Sequence, residues 1–143
     1  MGDKPLKEYE GKINVCARAI IENQGRVLLV KRTREPDIGF WCIPGGIVNM
    51  GETSLDAVIR EVKEEVGLDI NPRFLFYQDS INVVPNHHWL CLYFHAANQE
   101  DPVINSESDA YCFFSRKELG EIDIAFDNRE VLERYYRLNS KDQ

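Results

Sequence analysis

Three glutamates, Glu61, Glu64 and Glu65, stand at spacings that gather carboxylates on one side of a helix. An α-helix turns about 100° per residue, so positions i, i+3 and i+4 fall together. Clustered carboxylates repel one another, and the arrangement loses stability unless something positive fills it. A hard divalent cation with oxygen ligands, Mg2+ or Mn2+, is the natural filler. The plainer reading is a solvated acidic face. Arg60 can pair with Glu61, Glu64 or Glu52 and hold one of them in position.

The element that must position these groups is an amphipathic helix entered from a Pro44-Gly45 turn. Leu55, Val58, Ile59, Val62 and Val66 fall on a second face and are its expected core contacts. Ser54 or Thr53 can cap its start, and Gly67 sits where a helix end takes a left-handed residue.

Read in full, the stretch is Gly46, five residues, Glu52, seven residues, Arg60-Glu61, an aliphatic, any residue, Glu64-Glu65, any residue, Gly67, an aliphatic. It resembles the Nudix box of the MutT-like Nudix hydrolases at nine positions, seven of them fixed in identity. The resemblance implies an α/β/α sandwich with a mixed central sheet. It also implies a magnesium-dependent enzyme, with Mn2+ as substitute, that hydrolyses a nucleoside diphosphate linked to another group. Glu61, Glu64 and Glu65 would then be metal ligands together with the carbonyl of Gly46, where a missing side chain allows close backbone approach. Arg60 would orient Glu61, while Glu52 either braces Arg60 or reaches a metal through water. Glu61 is one candidate base; a downstream loop acid, Glu107 or Asp109, is the rival, and both stay open.

A pyrophosphate diester resists hydrolysis because its negative charge repels nucleophiles. Metal ions neutralise that charge and acidify bound water, and a carboxylate can then accept the water's proton. The basic residues nearest the box in sequence, Arg18, Lys31, Arg32 and Arg34, are candidates for the phosphates the metal leaves uncovered, or are plain surface charges.

Composition is consistent with this chemistry. The 143 residues suit one domain spanning the chain, with about ten N-terminal and about five C-terminal residues expected to fray. A net charge of −7 argues against a nucleic-acid polymer as partner, and bound cations would let an acidic chain hold a polyphosphate. No apolar run is long enough for a membrane span, and the first residues lack the apolar core of a signal peptide, so a cytoplasmic location is expected. The four cysteines lie far apart without a Cys-x-x-Cys pair, which disfavours zinc and favours buried free thiols. His87, His88 and His95 lack a fourth ligand at ordinary spacing.

Strands are expected over residues 12–21, 26–31, 73–84, 88–96 and 110–114, the first two forming a hairpin. The apolar runs at 73–84 and 88–96 suggest strands covered on both faces. A short helical turn at 115–119 and a final helix capped by Asp127 or Asn128, running to about Leu138, complete the chain.

The leading substrate expectation is a nucleoside triphosphate, oxidised forms included, cut to monophosphate and pyrophosphate. Asn128 lies roughly where MutT-type enzymes place a base-reading asparagine, against its plainer reading as a helix cap. ADP-ribose or a nucleotide sugar is the alternative substrate, and a non-catalytic binding domain the alternative class. Trp41, Phe76, Tyr77, Trp89 and Tyr93 are candidates to stack on a base or are core. A homodimer is implied by resemblance alone.

Overall fold

The computed structural model describes residues 4–102 and 110–141. After a short 3-10 turn at Leu6–Tyr9, the elements run β1 (Ile13–Asn23), β2 (Arg26–Lys31), β3 (Trp41–Cys42), β4 (Gly45–Ile47), α1 (Ser54–Val66), β5 (Arg73–Ile81), β6 (His88–Ala97), β7 (Tyr111–Phe114), α2 (Arg116–Leu119) and α3 (Asn128–Lys141). The acids Glu107 and Asp109 lie outside the described residues.

The strands form one mixed sheet of order β3-β2-β1-β6-β5, with β4 also pairing β1 and β7 pairing β2. Its centre is a parallel pair, β1 against β6, in unbroken register from Ile13 opposite His88 to Glu22 opposite Ala97. The other pairings are antiparallel, including the expected β1–β2 hairpin.

Side chains alternate across a strand, so β1 and β2 serve two cores at once. Ala17, Ala19, Ile21, Leu28 and Val30 pack beneath α1 with Ala57, Val58, Val62 and Val66. Cys16, Ile20, Val27 and Leu29 face the other way, toward α2 and α3, where Leu119, Val131, Leu132 and Tyr135 close a second core. The result is the α/β/α sandwich with a mixed sheet.

Helix α1 begins and ends as its residues dictate. Thr53 accepts a side-chain cap bond from the Asp56 amide, and Gly67 closes the helix in the left-handed conformation. Its buried stripe is rotated from the expected one. Leu55 is 43% exposed and Ile59 only partly buried, while Ala57 and Glu61 are buried. The cause is local: Glu61 turns inward against the backbone of β4, and the whole helix follows.

Two further expectations are corrected. β5 is an edge strand that ends at Ile81, with Phe74, Tyr77 and Ile81 more than half exposed, so it is not covered on both faces. Residues 82–87 form a turn instead, entered and left through left-handed Asn82 and Asn86. α3 also runs past Leu138 to Lys141.

These burials separate two leucines. Leu29→Ala, in the second core, is expected to cost about 2–5 kcal/mol. Leu55→Ala should stay within about 0.5 kcal/mol of the parent. Chemical denaturation of the two variants measures both.

Candidate active site

Strand β4 brings two glycines against β1, Gly46 opposite Ala17 and Gly45 opposite Arg18. Neither position has room for a side chain. A methyl group on Gly45 would strike the Ala17 carbonyl, and one on Gly46 would land on the Glu61 carboxylate. The Gly46 backbone and the Glu61 carboxylate are therefore in direct apposition, which is why Glu61 is only 7% exposed.

Arg60 organises the remaining acids. Its Nε and Nη2 donate to the two oxygens of Glu52 at 2.7 and 3.0 Å, a bidentate pair. Nη1 donates to Glu61 at 2.8 Å and to Glu64 at 3.3 Å, and Nη2 also reaches the Ile47 carbonyl at 3.1 Å. Glu65 is held separately, accepting from the Gly45 amide at 2.7 Å. Paired in this way with Arg60, Glu52 titrates below the usual carboxylate value, and Arg60 is held protonated more firmly than a free arginine.

Among the described residues, no three His, Cys, Asp or Glu side chains converge as a ready-made metal-ligand group. The donors do suit a hard cation: Glu61, Glu64 and Glu65 are carboxylates, and Gly46 offers a backbone cradle that any Cβ would fill. The histidines are dispersed, His87 stacked on Trp89, His88 3.9 Å from Asp79 and His95 3.0 Å from Glu22.

The acids open into one cavity of ≈ 500 Å³, which also takes in Arg18, Lys31, Arg32, Arg34, Trp89, Tyr93, Phe126, Asp127 and Asn128. Sequence-distant candidates thus meet in one place. Arg18 donates to the Ile43 carbonyl at 2.5 Å and lies 5.7 Å from the Phe126 ring. Arg32 lies 4.6 Å from that ring and donates to the Pro36 carbonyl at 2.8 Å, and burial pulls its basicity down. Of the aromatic candidates, Trp89 and Tyr93 line the cavity; Trp41 packs instead on Phe114, and Tyr77 faces solvent on β5.

Asn128 is placed by a bond other than the expected helix cap. Its Oδ1 accepts from the Ile43 amide at 2.8 Å and its Nδ2 sits 3.5 Å from the Tyr93 hydroxyl, so the side chain ties α3 to the segment before the box. It does not cap its own helix. Asp127, read in the sequence only as a cap, instead accepts from Ser80 at 2.5 Å and Gln78 at 2.8 Å and lines the cavity. Leu6 and Tyr9 were missed as well. They line the same cavity, with the Tyr9 ring 5.3 Å from Trp89. No local pattern announces these contacts, because each joins elements far apart in the chain.

A family model described as the NUDIX domain matches residues 12–135. The chain belongs to the Nudix hydrolase family. Among curated relatives of this Nudix chain, the dihydroneopterin triphosphate diphosphatase of Escherichia coli K12 is 26% identical over 147 residues, covering 90% of the chain and 95% of the relative. An ADP-ribose pyrophosphatase from Methanocaldococcus jannaschii is 43% identical over 67 residues, and the match spans 46% of the chain but only 40% of that relative's length. Among solved structures, a MutT Nudix hydrolase from Burkholderia pseudomallei superposes with a TM-score of 0.75 at 29% identity, covering 85% of this chain and 97% of that one.

The Glu52–Arg60 pair carries a pH signature. Because Arg60 lowers the Glu52 pKa in the fold, its stabilisation is complete above the ordinary carboxylate value of about 4.3 and is lost as pH falls through the lowered one. Glu52→Gln should therefore be less stable than the parent near neutrality, with the gap closing below about pH 4. Denaturant midpoints across an acid pH series give the comparison.

Proposed function

We propose that this Nudix chain is a metal-dependent pyrophosphohydrolase that cuts a nucleoside-triphosphate-type substrate, oxidised forms included, to a monophosphate and pyrophosphate. The observation that carries this reading is the single cavity in which the box carboxylates face a set of arginines and an aromatic wall. Such a lining suits a polyphosphate at one end and a flat heterocycle at the other.

In this reading Glu61, Glu64, Glu65 and the Gly46 carbonyl hold Mg2+ or Mn2+, which supplies charge neutralisation and acidified water when bound. Arg60 keeps Glu61 and Glu64 aimed while Glu52 occupies its other two nitrogens. Arg18, Arg32 and Arg34 offset phosphate charge, and the stacked placement of Arg18 and Arg32 near Phe126 limits the entropy they lose on binding. The proton of the attacking water goes to a carboxylate, Glu61 on the helix or the downstream acids Glu107 or Asp109. Trp89 and Tyr9 offer faces for the heterocycle, and Tyr93, fully buried, backs the wall behind them. Asn128 contributes through the Ile43 segment and Tyr93, since its acceptor oxygen is already engaged.

The Escherichia coli relative, matched over nearly its whole length, acts by its name on dihydroneopterin triphosphate. That favours a triphosphate over ADP-ribose, whose named relative matches less than half of this chain.

The test is pyrophosphate and phosphate release from a panel of canonical and oxidised nucleotides, dihydroneopterin triphosphate, ADP-ribose and nucleotide sugars, with Mg2+, Mn2+ or chelator. Metal-dependent pyrophosphate release from triphosphates is expected, abolished by chelator. Glu64→Gln should lower turnover at least about a hundredfold without altering the fold. Cleavage of ADP-ribose alone would overturn the substrate, and unchanged turnover in Glu64→Gln would overturn the mechanism.

A further inference from the structure

Two cysteines far apart in sequence meet on the floor of the cavity. Cys16 on β1 stands directly opposite Cys91 on β6 in the parallel register, and their Sγ atoms are 2.7 Å apart. Neighbouring strands lie about 4.8 Å apart, inside the span of about 4.4–6.8 Å between Cα atoms that a disulfide bridges. The other two cysteines have no such partner: Cys42 is paired with Val30 and Cys112 with Leu29.

Both thiols are almost fully covered, at 3% and 6% exposure, yet both line the ≈ 500 Å³ cavity. An oxidant that enters the cavity therefore reaches them. Arg18 follows Cys16 by two residues on the same face of β1 and lines the same floor. The hydrogen bond between the two thiols, with the nearby Arg18 charge, lowers the Cys16 pKa despite burial; Cys91 is raised in turn.

We propose that Cys16 and Cys91 form a redox-active dithiol, which a peroxide entering through the cavity closes into a cross-strand disulfide. The Cys16 thiolate attacks one peroxide oxygen: an S–O bond forms, the O–O bond breaks, and the departing hydroxide takes up a proton as water. The Cys91 thiol then attacks the sulfenic sulfur. An S–S bond forms, the S–O bond breaks, and a second water leaves with the Cys91 proton. Two thiols and one hydrogen peroxide give one disulfide and two waters.

The test uses the full chain carrying Cys112→Ser, so that the tryptic peptide spanning residues 74–116 holds Cys91 as its one cysteine. Graded hydrogen peroxide should lower the intact monomer mass by about 2 Da and link that peptide to the one containing Cys16, both reversed by dithiothreitol. Cys16→Ala and Cys91→Ala, checked for native circular dichroism, should each abolish the 2 Da loss. Should either variant fail to fold, thiol counting on the unsubstituted chain decides: two thiols should disappear together per peroxide consumed. Stepwise oxygen addition to separate thiols, a bond to Cys42 or a link between two chains would each overturn the assignment.

Discussion

The Arg60 guanidinium sits among three carboxylates, two on α1 and one on the segment entering it, that would otherwise repel one another. It offers Nε and Nη2 to Glu52, Nη1 to Glu61 and Glu64, and a further bond to the Ile47 carbonyl at the end of β4. A planar, permanently charged fork can serve these directions together; a lysine ammonium, a point charge on a flexible stem, cannot. Through these bonds the orientation of the acids is coupled to the segment entering the helix and to the strand before it.

That coupling has a counterpart at the next turn of the helix. Glu65 takes the Gly45 amide, and Gly45 and Gly46 are held edge-on to β1 where no side chain fits. The helix is thus fastened to the sheet by polar bonds at its acidic face and by Val58, Val62 and Val66 at its apolar face. The opposite wall comes from α3, which Asn128 ties to Ile43 two residues before β4. The cavity is bounded by both layers of the sandwich, so its shape depends on the sheet that separates them.

Much of this was legible in the sequence, for reasons that are local. The i, i+3, i+4 spacing of the glutamates, the Thr53 cap and the Gly67 terminator are properties of neighbouring residues, and the helix formed within those limits. The five expected strands appeared near their places because apolar runs bounded by turns leave few other options, whereas the short β3 and β4 carry no such run. The choice of core face on α1 was less legible: periodicity describes a helix in isolation, and Leu55 lost to Ala57 because Glu61 had to reach Gly46. Apolar content also misjudged β5, since an edge strand can carry Phe74, Tyr77 and Ile81 outward. The partners of Asp127 and Asn128 were out of reach, because Ser80, Gln78 and Ile43 become neighbours only when the sheet has closed.

The parallel pairing of β1 with β6 has a consequence for how the molecule is made. The first strand finds its central neighbour only after α1, β5 and the turn following it have been laid down. Hairpin and helix can gather early, but the loop that must close before β1 and β6 meet is long, and its entropy is lost before their contacts repay it. On a ribosome the acidic helix therefore emerges well before the sheet it docks on is complete. Until His88–Ala97 arrives, one long edge of β1 stays open to other strands, and synthesis rather than chemistry sets the moment at which the site first exists.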